Sequence, residues 1–295
     1  MSLVTPLGQR LTYTHDGLTL PVYRHGPVTG EAVLLLHGFP ETVASWNAVF
    51  RRLTAAGYQT WVPVMRGYAA TATPAGRQAY TTAHLVGDLT ALIAYFHLTR
   101  VHVVGHDWGG FLAWKLAQLF PAKLRSLTIL ATPHPLALVW AYRHSTQLLN
   151  SAYIGAFQVP RVGDWLAYRL LPHQLRSSGL SAPATAALLA AFPSAASLRG
   201  PVNWYRGMLV PHQPPVPDPL IHVPTTYVWG RHDRSVLRRG GGPENRRFRD
   251  GRLPVRGPEQ RPLVAGGTPG GDQCGHFTTP ATSLKSKRVP LTAKH

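Results

Sequence analysis

The decapeptide VHVVGHDWGG at residues 101–110 joins an apolar, β-branched run to a pair of glycines. The run is typical of a buried β-strand, and residues 111–117 after it have the apolar spacing of an α-helix. The sequence therefore predicts a strand, a tight turn and a helix in immediate succession.

Position 107 lies at the centre of this turn, with Gly105 two residues before it and Gly109 two residues after it. The spacing is typical of the nucleophile elbow, a cramped turn that exposes one reactive side chain above a sheet. Here the usual serine is replaced by Asp107, and a carboxylate that attacks an sp³ carbon forms an alkyl ester rather than an acyl-enzyme. The alternative is an ordinary turn in which Asp107 caps the following helix.

Length and composition indicate one large domain or a domain with an insertion. The chain has 295 residues, and its hydrophobic share of 44% is enough for a packed core. No apolar run is long enough to span a membrane, and the first residues lack the features of a signal peptide. Cys274 is the one cysteine, which excludes an internal disulfide and fits a reducing compartment. We therefore expect a cytoplasmic protein with no membrane partner.

The formal net charge of +18 does not indicate a nucleic-acid-binding surface. Residues 1–237 hold 18 Lys and Arg against 8 Asp and Glu, and residues 238–295 hold 12 against 4. No basic block is longer than two or three residues, and none alternates with aromatic side chains. We expect a scattered basic surface and no nucleic-acid partner.

Strand and helix patterns alternate along the first 130 residues. A hairpin is predicted around Asp16-Gly17, a pair typical of a type I′ turn. Because strands alternate with helices afterwards, we expect a mostly parallel sheet covered by helices on both faces. The remaining patterns predict strands at 32–36, 59–64 and 124–130, and helices at 43–53 and 81–96.

The alternation stops after residue 133. Residues 136–215 show helical patterns broken by prolines, which predicts an inserted α-helical lid over the carboxyl edge of the sheet, where ligands of open α/β sheets bind. A strand pattern resumes at 225–229. The predicted parts are a first core part at 1–133, a helical lid at 134–217, a second core part at 218–237 and a Gly/Pro/Arg-rich tail at 238–295.

Over residues 10–237 these motifs resemble the α/β-hydrolase fold, and within it the branch of epoxide hydrolases and haloalkane dehalogenases. GHDWGG at 105–110 resembles that branch's elbow, and HGFP at 37–40 resembles its oxyanion loop. The resemblance implies that Asp107 is the nucleophile and that the N–H groups of Phe39 and Trp108 stabilise the oxyanion of ester hydrolysis. Asp233 stands where the family has its charge-relay acid.

Two segments of the predicted lid separate the two activities of this branch. Tyr153, ahead of Phe157-Gln158, and Tyr205, within NWYR, resemble the paired lid tyrosines of epoxide hydrolases. An epoxide opens to an alkoxide, a poor leaving group, so phenol donors are needed as charge develops. A halide instead needs indole or amide N–H donors, and Phe39 occupies the place where dehalogenases often have a halide-binding asparagine. The alternative is that both tyrosines only pack the lid.

The residues after 237 depart from the family pattern. The resemblance requires a histidine after Asp233, which activates the water that hydrolyses the ester. A last strand and helix should place this histidine. Residues 238–295 instead contain 10 Gly and 7 Pro, a composition typical of irregular chain. We therefore expect the C-terminal strand and helix of the fold to be missing.

A shifted reading frame is one explanation of this departure. One permitted back-translation of residues 253–273, read one nucleotide later, gives YRFEVLSSGHWWPEEHPEAI, which resembles the missing strand, histidine and helix. Its histidine overlaps Pro262, 29 residues after Asp233, close to the family's spacing. The rival in the chain as written is His276, which lies 43 residues after Asp233 with no strand pattern before it.

The sequence thus predicts an enzyme that hydrolyses small apolar epoxides to diols through an ester on Asp107, impaired if the histidine is lost. No cluster has metal-ligand spacing and no glycine pattern suits a phosphate or dinucleotide, so no cofactor is expected. Two alternatives stay open: a haloalkane dehalogenase, and a non-catalytic pseudoenzyme whose basic tail at 238–295 binds anionic partners.

Overall fold

The computed structural model describes residues 4–5, 8–144, 151–211, 216 and 218–228. Between residues 32 and 130 strands and helices alternate, as the sequence predicts. The strands are β1 (Val4–Thr5), β2 (Gly8–His15), β3 (Leu18–His25), β4 (Ala32–Leu36), β5 (Gln59–Pro63), β6 (Val101–His106), β7 (Leu124–Leu130) and β8 (Thr225–Val228). The α-helices are α1 (Asn47–Ala55), α2 (Thr82–Tyr95), α3 (Trp108–Leu119), α4 (Pro135–His144), α5 (Tyr153–Phe157), α6 (Val162–Ser177), α7 (Ala182–Ala191) and α8 (Arg199–Gly207).

All eight of these strands join one sheet in the order β1-β2-β3-β5-β4-β6-β7-β8. β1, β2 and β3 pair antiparallel, and β3 pairs antiparallel with β5. The strands from β5 through β4, β6 and β7 to β8 are all parallel to their neighbours. The predicted mostly parallel sheet is confirmed, with an antiparallel edge that begins at the predicted hairpin. At that hairpin Asp16 and Gly17 have φ of 54° and 70°, as a type I′ turn requires.

The central strands are buried on both faces because their alternate side chains enter two separate cores. Val33 and Leu35 of β4 pack with Trp46 and Phe50 from the α1 side. Leu34 and Leu36 of the same strand belong to the larger core, which contains the apolar residues of α2 and α3. A strand whose two faces are both covered reads as a continuous apolar run, which is the pattern of residues 32–36.

The predicted helix at 43–53 begins instead as a 3₁₀ turn, Val43–Trp46, and becomes α-helical at Asn47. The Thr42 hydroxyl accepts the N–H of Ala44 and so caps this turn. Local capping of this kind competes with the α-helical pattern at the start of a helix.

The loop that begins at Arg66 is held by a buried ion pair. The Arg66 guanidinium donates two hydrogen bonds to the Asp88 carboxylate, at 2.8 and 2.7 Å, and one to Asp16 at 2.9 Å. Asp88 lies on α2 and Asp16 in the hairpin turn, so one side chain ties three segments together.

Helices α4 to α8 form a helical segment between β7 and β8, described over residues 135–144 and 151–207. Its last helix lies directly on the loop after Arg66: a Cβ on Gly200 would stand 2.1 Å from the carbonyl oxygen of Gly67. The Trp204 indole donates to the Arg66 carbonyl oxygen at 2.8 Å. The backbone of α8 therefore packs directly against the backbone of the Arg66 loop where the helical segment contacts the core.

The predicted tail at 238–295, with its expected loss of a strand and helix, lies outside the described residues, and the predicted domain boundaries stay predictions. Within the described part of the chain, no helix combines the length and apolar character needed to cross a membrane.

We predict that Gly200→Ala lowers the free energy of unfolding by about 2 kcal/mol, because the added methyl group has no space against the Gly67 backbone. Gly155→Ala is the matched control, since nothing lies within 4 Å of a Cβ at that position of α5. Alanine there should be neutral or stabilising by about 0.5–1 kcal/mol. Urea unfolding of both variants measures the difference, and equal effects would contradict the close contact.

Candidate active site

Asp107 lies between the end of β6 and the start of α3 in a conformation that L-residues rarely adopt, with φ of 51° and ψ of −122°. The turn is cramped: a Cβ on Gly109 would stand 2.2 Å from the Leu36 carbonyl oxygen, and one on Gly105 would stand 2.4 Å from the Gly109 carbonyl oxygen. An N-cap residue has extended backbone, and Asp107 makes no capping hydrogen bond. The geometry is that of a strained elbow and not of a capped turn.

The Asp107 carboxylate is held by main-chain donors. The N–H of Phe39 donates to Oδ1 at 2.8 Å, and the N–H of Trp108 also hydrogen-bonds the carboxylate. Burial raises the pKa of Asp107 above its ordinary value, while His106 and these two N–H groups favour the charged form. The two N–H groups therefore converge on a buried carboxylate, and Oδ1 is engaged by Phe39.

A second carboxylate, Glu41, joins the loop after β4 to the elbow. Its Oε2 accepts the Gly38 N–H at 3.0 Å and the His106 ring at 3.1 Å. Burial acts to raise the pKa of Glu41, but His106 and the Gly38 N–H outweigh it and lower this pKa to about 2. Glu41 follows HGFP directly in the sequence, yet its partner 65 residues away is not visible in any local pattern.

His37, like His106, makes a hydrogen bond within the loops that surround Asp107. The Nδ1 of His37 donates to the Gly38 carbonyl oxygen at 3.1 Å, and burial lowers the pKa of this imidazole. The Tyr68 hydroxyl donates to the same carbonyl oxygen at 3.3 Å. Gly38 is thus fixed through its N–H and its carbonyl group.

Tyr153 and Tyr205 come together above Asp107. Their ring centroids are 5.9 Å apart, with an interplanar angle of 73°. Burial and the Asp107 charge raise the pKa of Tyr153 to about 12, and the same causes, with Tyr153 itself, raise that of Tyr205 well above its usual range. Both phenols therefore keep their protons at neutral pH and can act as hydrogen-bond donors.

Aromatic rings surround Tyr205 edge-on. The centroids of Trp108, Phe157 and Phe39 lie 5.0, 5.2 and 5.4 Å from that of Tyr205. The Trp108 indole stands nearly perpendicular to the Tyr205 ring, with an interplanar angle of 89°. The space over Asp107 is therefore apolar apart from the two phenols.

The helices that carry the two tyrosines are bonded to each other. Gln158, at the end of α5, donates to the Tyr205 carbonyl oxygen at 3.0 Å. Arg206 on α8 donates to the Phe157 carbonyl oxygen at 2.7 Å and pairs with the buried Asp164 at 2.7 Å. These supporting residues were not singled out as functional from the sequence, because their bonds link segments more than 40 residues apart.

The structure brings together Asp107, Tyr153, Tyr205 and the N–H groups of Phe39 and Trp108. Asp233 and His276 lie outside the described residues. Within the described ranges, no group of three or more His, Cys, Asp or Glu side chains is arranged to hold a metal ion.

Comparison with known sequences identifies a family. The family model described as alpha/beta hydrolase fold matches residues 31–252. The AB hydrolase superfamily protein YfhM of Bacillus subtilis is 32% identical over 233 residues, which are 76% of this chain and 81% of that protein. Human epoxide hydrolase 4 is 30% identical over 215 residues, which are 68% of this chain but only 59% of that relative.

Solved structures similar to this chain include epoxide hydrolases. An epoxide hydrolase from metagenomes of hot environments superposes with a TM-score of 0.68 at 26% identity, covering 81% of this chain and 85% of that one. An epoxide hydrolase of Vigna radiata superposes with a TM-score of 0.60 at 26% identity, covering 75% of this chain and 79% of that one.

The lowered pKa of Glu41 predicts an acid-sensitive contribution to stability. Because the folded-state pKa of about 2 lies below the ordinary 4.5, the ionised group stabilises the fold fully above about pH 4.5, and this is lost as the pH falls toward 2. The ionised Glu41 carboxylate therefore contributes about 3 kcal/mol to the free energy of unfolding, and acidification removes this contribution. Denaturant unfolding of the wild type and Glu41→Gln between pH 7 and 2 measures it as a gap that closes on acidification. A gap independent of pH would contradict the assignment.

Proposed function

The chain belongs to the alpha/beta hydrolase fold family, and we propose that its chemistry is the conversion of epoxides to diols through a covalent ester on Asp107. The observation that carries this proposal is the pair of protonated phenols, Tyr153 and Tyr205, over a buried carboxylate. The names of the relatives and structural neighbours support the same reaction class.

Ring opening uses the carboxylate oxygen that the oxyanion loop leaves available. Because Phe39 holds Oδ1, Oδ2 attacks the less hindered ring carbon from behind, and the carbon–oxygen bond on the far side breaks. The departing oxygen takes a proton from a tyrosine as its charge develops, and solvent returns that proton to the phenol. The product of this step is an ester between Asp107 and the substrate.

Ester hydrolysis requires water to attack the carboxyl carbon of Asp107. The negative charge then forms on the oxygen that faces the N–H groups of Phe39 and Trp108. When this intermediate collapses, the bond from the carboxyl carbon to the substrate oxygen breaks, that oxygen takes up the proton removed from water, and the diol leaves. The family activates this water with a histidine oriented by an acid, for which we propose Asp233. We also propose that the reading frame of the coding sequence shifts after codon 237, so that this histidine is lost and the ester persists.

The helical segment acts in this proposal as a lid that excludes water and presents the phenols. The described site favours an epoxide over a haloalkane, because two phenols face Asp107 and Phe39 has no amide to hold a halide. Release of bromide from a bromoalkane would support the dehalogenase alternative instead. The non-catalytic alternative predicts a folded chain that forms no adduct and no diol, and whose tail binds DNA in a salt-sensitive way.

We predict that incubation with styrene oxide adds the mass of one substrate to the chain, and that the adduct is absent in Asp107→Asn. The adduct should persist for hours, because no water-activating histidine removes it. Intact-mass spectrometry measures both results. Steady diol formation without an adduct would show that a working base exists and make His276 its candidate. A folded sample that forms neither the adduct nor the diol would overturn the proposed function.

The reading-frame proposal has its own test in the nucleotide sequence over codons 235–275. We expect an insertion or deletion there relative to related genes, and an unbroken alignment through these codons would refute the shift.

We predict that Tyr205→Phe and Tyr153→Phe each slow adduct formation about 100-fold, because each removes a proton donor from the departing oxygen. Tyr168→Phe is the matched control: this tyrosine also lies in the helical segment, but its hydroxyl donates to the Pro193 carbonyl oxygen. Adduct formation is followed by mass over time at several epoxide concentrations. Unchanged rates in both variants would show that the tyrosines only pack the segment.

A further inference from the structure

The helical segment carries an unbalanced charge. Residues 134–217 contain six arginines, no lysine and a single acidic residue, Asp164. Asp164 is buried and lies 2.7 Å from Arg206 and 3.5 Å from Arg199. The Asp164 charge is therefore neutralised by ion pairs within the segment. The arginines at 143, 161, 169 and 176 are exposed, and this part of the sequence holds no other acidic residue.

Apolar side chains are exposed among these arginines. Val162 and Trp165 on α6 are each 56% exposed, and Val159 just before the helix and Leu170 further along it are also exposed. The Arg169 guanidinium stands over the Trp165 ring, 5.9 Å from its centroid. Val162, Trp165 and Arg169 follow one another at helical spacing, so they share one side of α6. We call Val159, Val162, Trp165 and Arg169 the α6 outer face, and the exposed Leu170 borders it.

This face is separate from the site above Asp107. The opposite side of α6 supplies the buried contacts of the segment, through Asp164, Ala167 and Leu171. An exposed tryptophan with aliphatic neighbours and flanking arginines is a composition that aqueous surfaces rarely gather in one place.

We propose that the α6 outer face docks on a membrane surface that contains anionic lipids. Tryptophan and aliphatic side chains bury at the boundary between headgroups and acyl chains, while arginines on the same helix bind lipid phosphates. The sequence predicts no membrane partner because no apolar run can span a bilayer, but docking on the surface of a membrane needs no spanning helix.

Two other occupants fit the face less well. In a symmetric contact with a second copy, the arginines around the face would meet their own equivalents, and like charges across an interface are costly. A nucleic acid would bind the arginines but would leave Val162 and Leu170 without a role, because its surface offers phosphates and base edges.

The test uses the full chain and vesicles of phosphatidylcholine with or without phosphatidylglycerol. We expect sedimentation with the anionic vesicles alone, weakened by salt, together with quenching of tryptophan fluorescence by brominated anionic lipid. Arg161→Gln and Arg169→Gln should each weaken this binding about five-fold. Trp165→Ser should remove most of the quenching and weaken binding further.

Matched controls separate this face from net charge. Arg51→Gln and Arg52→Gln remove exposed arginines from α1, and Val28→Ser removes a side chain that is 74% exposed on the core. These three changes should leave vesicle binding within two-fold of the wild type. Unfolding midpoints of all variants exclude loss of fold as the cause.

Several results would overturn the proposal. Binding that α6 variants leave unchanged, or that the α1 variants weaken equally, would assign it to overall charge or to the basic tail. Absence of vesicle binding, with duplex DNA binding weakened by Arg169→Gln, would make the face a nucleic-acid surface. A dimer in light scattering that Trp165→Ser dissociates would make it an interface between copies.

Discussion

The hydrogen bond from the Phe39 N–H to the Asp107 carboxylate joins two loops on which the rest of the site depends. These loops follow β4 and β6, which are parallel neighbours with Leu36 opposite Gly105. Parallel neighbours end at the same edge, so a Cβ on Gly38 would stand 2.4 Å from that of Asp107. Glu41 adds a second bridge between the same loops. The strained backbone of Asp107 persists because contacts on several sides determine it.

The tyrosines are placed by a different set of forces. Tyr153 and Tyr205 lie 52 positions apart on short helices that could not hold a fixed geometry alone. Side chains of Gln158 and Arg206 bond the main chain of the opposite helix, and Gly200 rests on the core backbone. The elbow and the phenols are thus positioned independently, and they meet through the rings of Phe39, Trp108 and Tyr205.

Local patterns in the sequence predicted what is local in the structure. The run at 32–36 is a strand with the predicted ends, and the apolar stripe of α2 is buried at Leu85, Leu89 and Leu92. The spacing around Asp107 predicted the turn because Gly105 packs against the Gly109 backbone four residues later, whereas the crowding of Gly109 against the Leu36 carbonyl oxygen depends on the tertiary fold. Two ion pairs could not be predicted from local patterns, because each joins residues that only the tertiary fold brings together. These are Glu41 with His106 and Arg206 with Asp164.

The described residues serve the two halves of the proposed reaction unequally. Ring opening needs a carboxylate and proton donors, and all of these meet above β6. Water attack on the ester needs a base, and the two histidines near Asp107 are each held in place through Nδ1: His37 donates that proton to Gly38, and the Nδ1 of His106 is bonded to Glu41. Moving either ring toward the ester would break the bonds that hold the oxyanion loop against the elbow. We therefore expect the base of the second half to come from another part of the chain, and ring opening does not depend on it.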